Sequence, residues 1–192
     1  MPTIAAVSDI HLGSATSPGA QILIDAASSP SDILVVAGDL FDRSDPTLTH
    51  LDEAVDALRD AARRVPVLLI WGNHDAAVSA SLPPIDNVTV VPSCAPALVT
   101  VGGIDFVACS VATDPADYSV SYPHVPGAIG VLHTSLTGEH SKKPCLPCSV
   151  EDLLACDYRA WILGHVHEPI WVHEKPPIFW PGQGEIVRLE FY

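Results

Sequence analysis

At 192 residues the chain can bury a substantial core without disulfides or a structural metal, and it reads as one domain over residues 1–192. Hydrophobic residues make up 48% and charged ones 17%, which argues against disorder and for strands buried on both faces. Nine Lys and Arg stand against 23 Asp and Glu, a formal charge of −14, so the surface is a poor one for gripping a polyanion and any nucleic-acid role has to come from a specific site.

No basic, apolar leader opens the sequence, and no apolar run reaches the roughly 18 residues of a membrane span; a cytoplasmic location without membrane contact is expected. The five cysteines are an odd number in a chain that needs no staples, so reduced thiols are expected. Cys145-Leu146-Pro147-Cys148 has C-x-x-C spacing, but no second pair completes a zinc site and the pair lies in a proline-broken loop. No role is assigned to Cys145 or Cys148.

Residues 3–7 form a short apolar strand that ends in Ser8-Asp9-Ile10-His11, and alternation predicts Asp9 and His11 on one side of an extended backbone. A loop over 13–19 leads to a short helix over 21–28. The second buried strand, over 32–37, is followed by Gly38-Asp39-Leu40-Phe41-Asp42-Arg43. Asp45 and Pro46 are the expected N-cap and first residue of the next helix. In it Leu48, Leu51, Val55, Leu58 and Ala62 recur at spacings of three and four, with charges on the other faces.

The apolar run over 65–70 is a third strand, and it delivers Asn73, His74 and Asp75 together. Asn73 offers a neutral oxygen to a cation, His74 can bind metal or pass a proton, and Asp75 can fix the tautomer of a neighbouring imidazole. This alternation of strands and helices predicts parallel strands with right-handed crossovers, whose ligands gather beyond the carboxyl ends.

The second half has shorter strands and more proline. Strands are expected over 88–91, 97–101 and 104–109, with a Gly102-Gly103 hairpin turn, and a loop over 113–127. A strand over 128–132 ends in His133-Thr134-Ser135. After a loop over 139–148 and a short helix over 150–156, a strand over 160–163 ends in Gly164-His165-Val166-His167. Short strands over 169–172, 178–180 and 186–191 finish the chain.

Five strands therefore end in potential ligands: Asp9 and His11, Asp39, Asn73 and His74, His133, and His165 with His167. Any one alone is an ordinary turn residue or surface histidine. In this order, D-x-H, G-D, G-N-H-D, H and G-H-x-H resemble the calcineurin-like metallophosphoesterase superfamily. Ser8-Asp9-Ile10-His11-Leu12-Gly13, Gly38 to Arg43, His133-Thr134-Ser135-Leu136-Thr137-Gly138 and Asp157-Tyr158 leading to His167 are most similar to the SbcD and Mre-type DNA repair exonucleases. Trp180-Pro181-Gly182-Gln183 sits where those enzymes have a Tyr-Pro-Gly turn.

The resemblance implies an αββα sandwich of two mixed β-sheets flanked by helices, with a dinuclear metal site at the strand ends. It implies that Asp9, His11, Asp39 and His167 hold one ion and Asp39, Asn73, His133 and His165 the other, with Asp39 as the bridge. A shared hydroxide would attack phosphorus in line. Mixed imidazole and carboxylate ligands suit Mn²⁺, with Fe²⁺ or Zn²⁺ as alternatives. His74 is left to protonate or steady the leaving group, Asp75 orients a histidine, and Asp42 and Arg43 stand behind the ligands or touch phosphate, with a purely structural role as the equal alternative for these last three. His50, His124, His140 and His173 match no motif position and read as ordinary histidines. Ser135 lacks the Gly-x-Ser-x-Gly elbow of a nucleophile.

The leading expectation is a phosphodiesterase or exonuclease of the SbcD-like kind, with DNA as substrate and an ATPase partner. The chain ends soon after Pro181-Gly182, without the DNA-capping extension of those exonucleases, and its surface is acidic. Both features favour the second expectation, an enzyme of small phosphodiesters or phosphomonoesters. A third, a non-catalytic scaffold of the same fold, predicts missing ligands, and every motif ligand is present.

Overall fold

A computed structural model describes residues 2–43, 45–76 and 82–191. In chain order the first half contains β1 (Thr3–Val7), α1 (Gln21–Ala26), β2 (Ile33–Ala37), α2 (Leu48–Ala62), β3 (Val67–Ile70) and β4 (Val88–Val91). The second half contains β5 (Ala97–Val101), β6 (Ile104–Ala108), β7 (Ile129–His133), α3 (Val150–Leu154), β8 (Ala160–Gly164), β9 (Ile170–Glu174), β10 (Pro177–Trp180) and β11 (Val187–Glu190).

Two mixed sheets pack face to face. The first has the order β11-β1-β2-β3-β4, parallel except for β11, and the second the order β5-β6-β7-β8-β10-β9, with antiparallel pairs only at its two edges. The alternation of side chains explains the layering. In β1, β2 and β3, Ala5, Val7, Leu34, Val36, Val67 and Leu69 meet α1 and α2, whereas Ile4, Ala6, Ile33, Val35, Leu68 and Ile70 meet the other sheet. Phe106, Ile129, Val131, Ile162 and Phe179 complete the inner layer. Behind the second sheet, Leu132, Trp161, Leu163 and Trp180 pack against α3 and flanking loop residues such as Val111, Ala116 and Leu146. The sandwich is thus helical on one side, and on the other is closed by one short helix and loops.

Two expectations for α2 are corrected. Its N-cap is Thr47, whose hydroxyl accepts the His50 N–H at 3.3 Å, and not Asp45. Thr47 has extended backbone angles that put its oxygen over the first turn. Leu48 is 79% exposed because the buried face consists of Ala54, Val55, Ala57, Leu58, Ala61 and Ala62. The small residues let α2 lie close to the sheet, so its seam is built from alanines that a leucine-spacing argument overlooks. No helix among the described residues is long and apolar enough to cross a membrane.

Candidate metal centre

The adjacent parallel strands β1, β2 and β3 deliver Asp9, Asp39 and Asn73 to one edge of the first sheet, and β7 and β8 deliver His133 and His165 to the facing edge of the second. Close approach of the edges depends on small residues. A Cβ on Gly72 would run into Asp39, and one on Gly164 would run into the Ala37 carbonyl. The two sheets are joined at this point by His133, whose Nδ1–H donates to the Ala37 carbonyl at 2.9 Å.

Asp9 and His11 do face one site, but not from an extended backbone. Their φ angles are 55° and 48°, and Asp39 (51°) and His165 (97°) share the left-handed region. Four ligand candidates thus occupy a conformation disfavoured for side-chain-bearing residues, and the surrounding hydrogen bonds hold it: Asp9 N–H to Gly38 O and His11 N–H to Asp39 O, both at 3.0 Å.

The side chains form two groups that meet at Asp39. In the first, the Nε2 atoms of His11 and His167 are 3.1 Å apart, and each lies 3.9 Å from Asp9 Oδ1. Asp39 Oδ2 is 3.6 Å from His11 Nε2 and 3.3 Å from His133 Nε2, so it reaches both groups. In the second, Asn73 Oδ1 lies 3.2 Å from His133 Nε2 and 3.0 Å from His165 Nδ1. Backbone amides aim the carboxylates: His74 N–H donates to Asp39 Oδ1 at 2.9 Å, and His165 N–H to both Asp9 oxygens at 3.1 Å.

Tautomers decide whether a cation fits. A carbonyl can only accept, so His165 carries its proton on Nε2, which donates to Lys143 O at 2.9 Å with Ser141 Oγ at 3.0 Å. Its Nδ1 lone pair then confronts the Asn73 oxygen. By the same reasoning His133, protonated on Nδ1, presents a bare Nε2 to Asn73 and Asp39 when neutral. At His165 an acceptor faces an acceptor, and at His133 the same holds once its ring is neutral, while the buried Asn73 Nδ2 and His11 Nδ1 have no hydrogen-bond partner among the described residues. That donor set fits a bound divalent cation and is costly without one.

Without metal, proton affinities in the cluster are displaced. Burial pushes the Asp9 carboxyl up to about 6 and lowers His11 and His165 to about 4. Burial acts to raise Asp39, but the nearby histidines, His133 foremost, outweigh it and hold the carboxyl below its usual range. The converse holds for His133: burial acts to lower it, and the Asp39 charge raises it to about 9.

His74 lies beside the cluster, its ring 4.8 Å from that of His11, with Nδ1–H donated to the Asp42 carbonyl at 2.7 Å. One of its ring nitrogens lies within 4.8 Å of a His11 ring nitrogen and of an Asp39 carboxylate oxygen. Asp42 Oδ1 is 3.8 Å from His11 Nδ1, and Arg43, largely exposed, is 3.8 Å from Asp42 Oδ2. Arg43, His74 and Asn73 line an open cavity of about 580 Å³ with Asp42, Asp45, Thr113 and Asp114.

Among the described residues Asp75 is hydrogen-bonded to backbone amides and to no histidine. Its carboxylate accepts the backbone N–H groups of Leu40 and Gly72 at 3.0 Å and Phe41 at 2.9 Å, tying the loop after β2 to the loop after β3. Burial, and next the Asp39 charge, raise it to about 7 against those three donors.

Other contributors carry little signal in the sequence. Trp180 Nε1–H donates to Thr134 O at 3.1 Å and Gly164 O at 3.0 Å, bracing the ends of β7 and β8; its place in Trp-Pro-Gly-Gln is the one hint. Cys145 is buried with its thiol donated to His133 O at 3.2 Å, and it lies within 4.8 Å of ring nitrogens of His133 and His165. His140, read as ordinary, lines a second cavity with His165 and His167. All five cysteines are free thiols.

Two packed mixed sheets with acid, amide and imidazole donors gathered at the strand ends are the architecture of a metal-dependent phosphoester hydrolase. The sequence profile of the calcineurin-like phosphoesterase family matches residues 2–169, and the chain belongs to that family, whose chemistry depends on divalent metal ions. It is 27% identical over 186 residues to the uncharacterized metallophosphoesterase YhaO of Bacillus subtilis (strain 168), a match that takes in 88% of this chain and 45% of that protein. The chain therefore spans less than half the length of that curated relative. The crystal structure of TT1561 of Thermus thermophilus superposes with a TM-score of 0.54 at 13% identity, covering 95% of this chain and 89% of that one. At that identity the likeness speaks for the fold alone.

Proposed function

We propose that residues 1–192 act as a single phosphodiesterase domain with a two-metal centre, held by Asp9, His11, Asp39 and His167 on one side and by Asp39, Asn73, His133 and His165 on the other. The observation that carries this reading is the pair of ligand groups meeting at Asp39 Oδ2, 3.6 Å from His11 and 3.3 Å from His133. Two divalent ions would supply Lewis acidity toward the phosphoryl oxygens and activated water, and Mn²⁺ suits the mixed ligands.

The residues around the ions have separate tasks. The His74 N–H fixes one Asp39 oxygen, leaving the other for the ligand groups. Because the Asp42 carbonyl takes the His74 Nδ1–H, Nε2 is the atom that picks up a proton and passes it to the leaving oxygen. Arg43 lines the same cavity, from which it would meet a phosphoryl oxygen.

The finer reading is an SbcD-like DNA exonuclease working with an ATPase partner. It is supported by the motif spellings and by the open cavity beside His74. The formal charge of −14, with Asp42, Asp45 and Asp114 lining the cleft, supports instead a small phosphodiester or phosphomonoester. The test is hydrolysis, with and without Mn²⁺, of bis-p-nitrophenyl phosphate, p-nitrophenyl phosphate and linear DNA side by side. Metal-dependent cleavage of the diester over the monoester is expected, and a preference for the monoester would overturn the diesterase reading.

A further inference from the structure

Lys143 is one of only nine Lys and Arg in the chain, and it stands at the edge of the metal centre on a rigid base. Its carbonyl holds His165 Nε2–H at 2.9 Å. Two residues on, the backbone is pinned by Ser135 N–H to Cys145 O and Leu146 N–H to Ala116 O, both at 2.8 Å, and by Cys145 N–H to Ser135 Oγ at 3.1 Å. The Lys143 ammonium reaches Asp114 at 2.8 Å, and Asp114 lines the cavity that contains Asn73 and His74.

We propose that Lys143 recognises a second phosphate, flanking the one that reacts, and that Asp114 holds the ammonium in place until that phosphate displaces it. The proposal rests on the phosphodiesterase reading and narrows its substrate class to diesters carrying a neighbouring phosphate. The Lys143 carbonyl meets His165 on Nε2, whereas its ammonium pairs with Asp114 at the wall of the cavity that contains Asn73 and His74. Among the described residues that ammonium is in ion-pair contact with Asp114 and with neither Asp9 nor Asp39, so a phosphate that takes the place of Asp114 binds beside the ligand set rather than within it. The Lys143 and Asp114 side chains are 44% and 38% exposed, and a pair exposed to that degree contributes little to stability. Exchanging the carboxylate for a phosphate, which offers more charge and more acceptor oxygens, is then favourable. Arg43, the other cation of the cleft, is on the His74 side with Asp42 and serves the reacting group.

The experiment is calorimetric titration of Mn²⁺-loaded protein with thymidine 3′,5′-bisphosphate and with thymidine 5′-monophosphate, reading the ratio of the two affinities. Both ligands meet the same protein, so any change transmitted through His165 to the metals cancels in the ratio. Wild type is expected to prefer the bisphosphate. Lys143→Met should cut that preference about fivefold, the size of one charge-assisted hydrogen bond at a half-exposed site. Asp114→Asn should increase it, and this increase should vanish in the double variant Lys143→Met/Asp114→Asn. A preference absent in wild type, untouched by Lys143→Met, or raised by Asp114→Asn with or without Lys143, overturns the proposal. A protein that shows the expected ratios but cleaves no diester overturns the diesterase reading and leaves the recognition of two phosphates standing.

Discussion

The side-chain oxygen of Asn73 lies 3.0 Å from His165 Nδ1, and the Lys143 carbonyl on the far side of that ring requires this nitrogen to be the bare one. Two acceptors in contact repel unless a cation joins them. Chelation should therefore destabilise the fold as well as stop turnover. With metal at about 100 times its Kd, binding contributes about 2.7 kcal/mol, and for a domain of this size its removal lowers Tm by about 5–10 °C. Scanning calorimetry with and without EDTA checks this; an unchanged Tm would count against a cation between these residues.

Asp39→Asn preserves shape and removes the one charge that reaches both ligand groups. Loss of at least one metal and of nearly all turnover is expected. Atomic absorption on the purified variant reads the metal directly, and wild-type metal content with wild-type activity would end the two-metal reading.

Asp75→Ala tests the corrected role of that residue. Three buried N–H donors, from Leu40, Phe41 and Gly72, lose their acceptor, and each costs about 1 kcal/mol or more when left unpaired. A loss of about 3 kcal/mol or more is expected in urea unfolding. A variant as stable as wild type but with altered catalytic pH dependence would restore a histidine-orienting role.

Much of this centre was legible in the sequence, because the continuous apolar runs of β1, β2 and β3, buried throughout, and a ligand at each strand end are local patterns. Its supports were not. Asp9, His11, Asp39 and His165 adopt positive φ under the constraint of hydrogen bonds such as Asp9 N–H to Gly38 O, which pair distant segments. The two roles open to Asp75 are not separable in the sequence, because a carboxylate between backbone amides and one beside an imidazole look alike in one dimension. Lys143 acts on His165 through a carbonyl that every residue type possesses, and Leu48 was placed in a seam that alanines fill.

Metal affinity should rise with pH. His11 and His165, lowered to about 4 by burial, are already neutral at pH 6 and give up no proton. Burial raises Asp9 to about 6, and His133, where the Asp39 charge overcomes the opposing effect of burial, is raised to about 9; both must lose a proton before their lone pairs can bind metal. Near pH 7 to 8 about one proton, from His133, should be released on binding, falling to about half a proton at pH 9, and below pH 6 Asp9 should add to it. Calorimetry in buffers of different ionisation enthalpy measures that number. Binding at pH 7.5 with no proton released would contradict the assignment of His133 as a ligand.

The last prediction separates catalysis from metal binding. His74→Ala leaves Asp9, His11, Asp39, Asn73, His133, His165 and His167 in place, and it retains the backbone N–H that fixes Asp39, so both metals should remain. Turnover should nonetheless fall by about 10²- to 10⁴-fold, the usual contribution of a general acid or base. The loss should also depend on the leaving group. A p-nitrophenolate needs little protonation, whereas the alkoxide of a deoxyribose needs much, so the variant should be impaired less on bis-p-nitrophenyl phosphate than on a dinucleotide. Equal impairment on both substrates would make His74 a stabiliser of charge, and loss of a metal would make it a ligand, an outcome its proximity to His11 and Asp39 renders worth measuring.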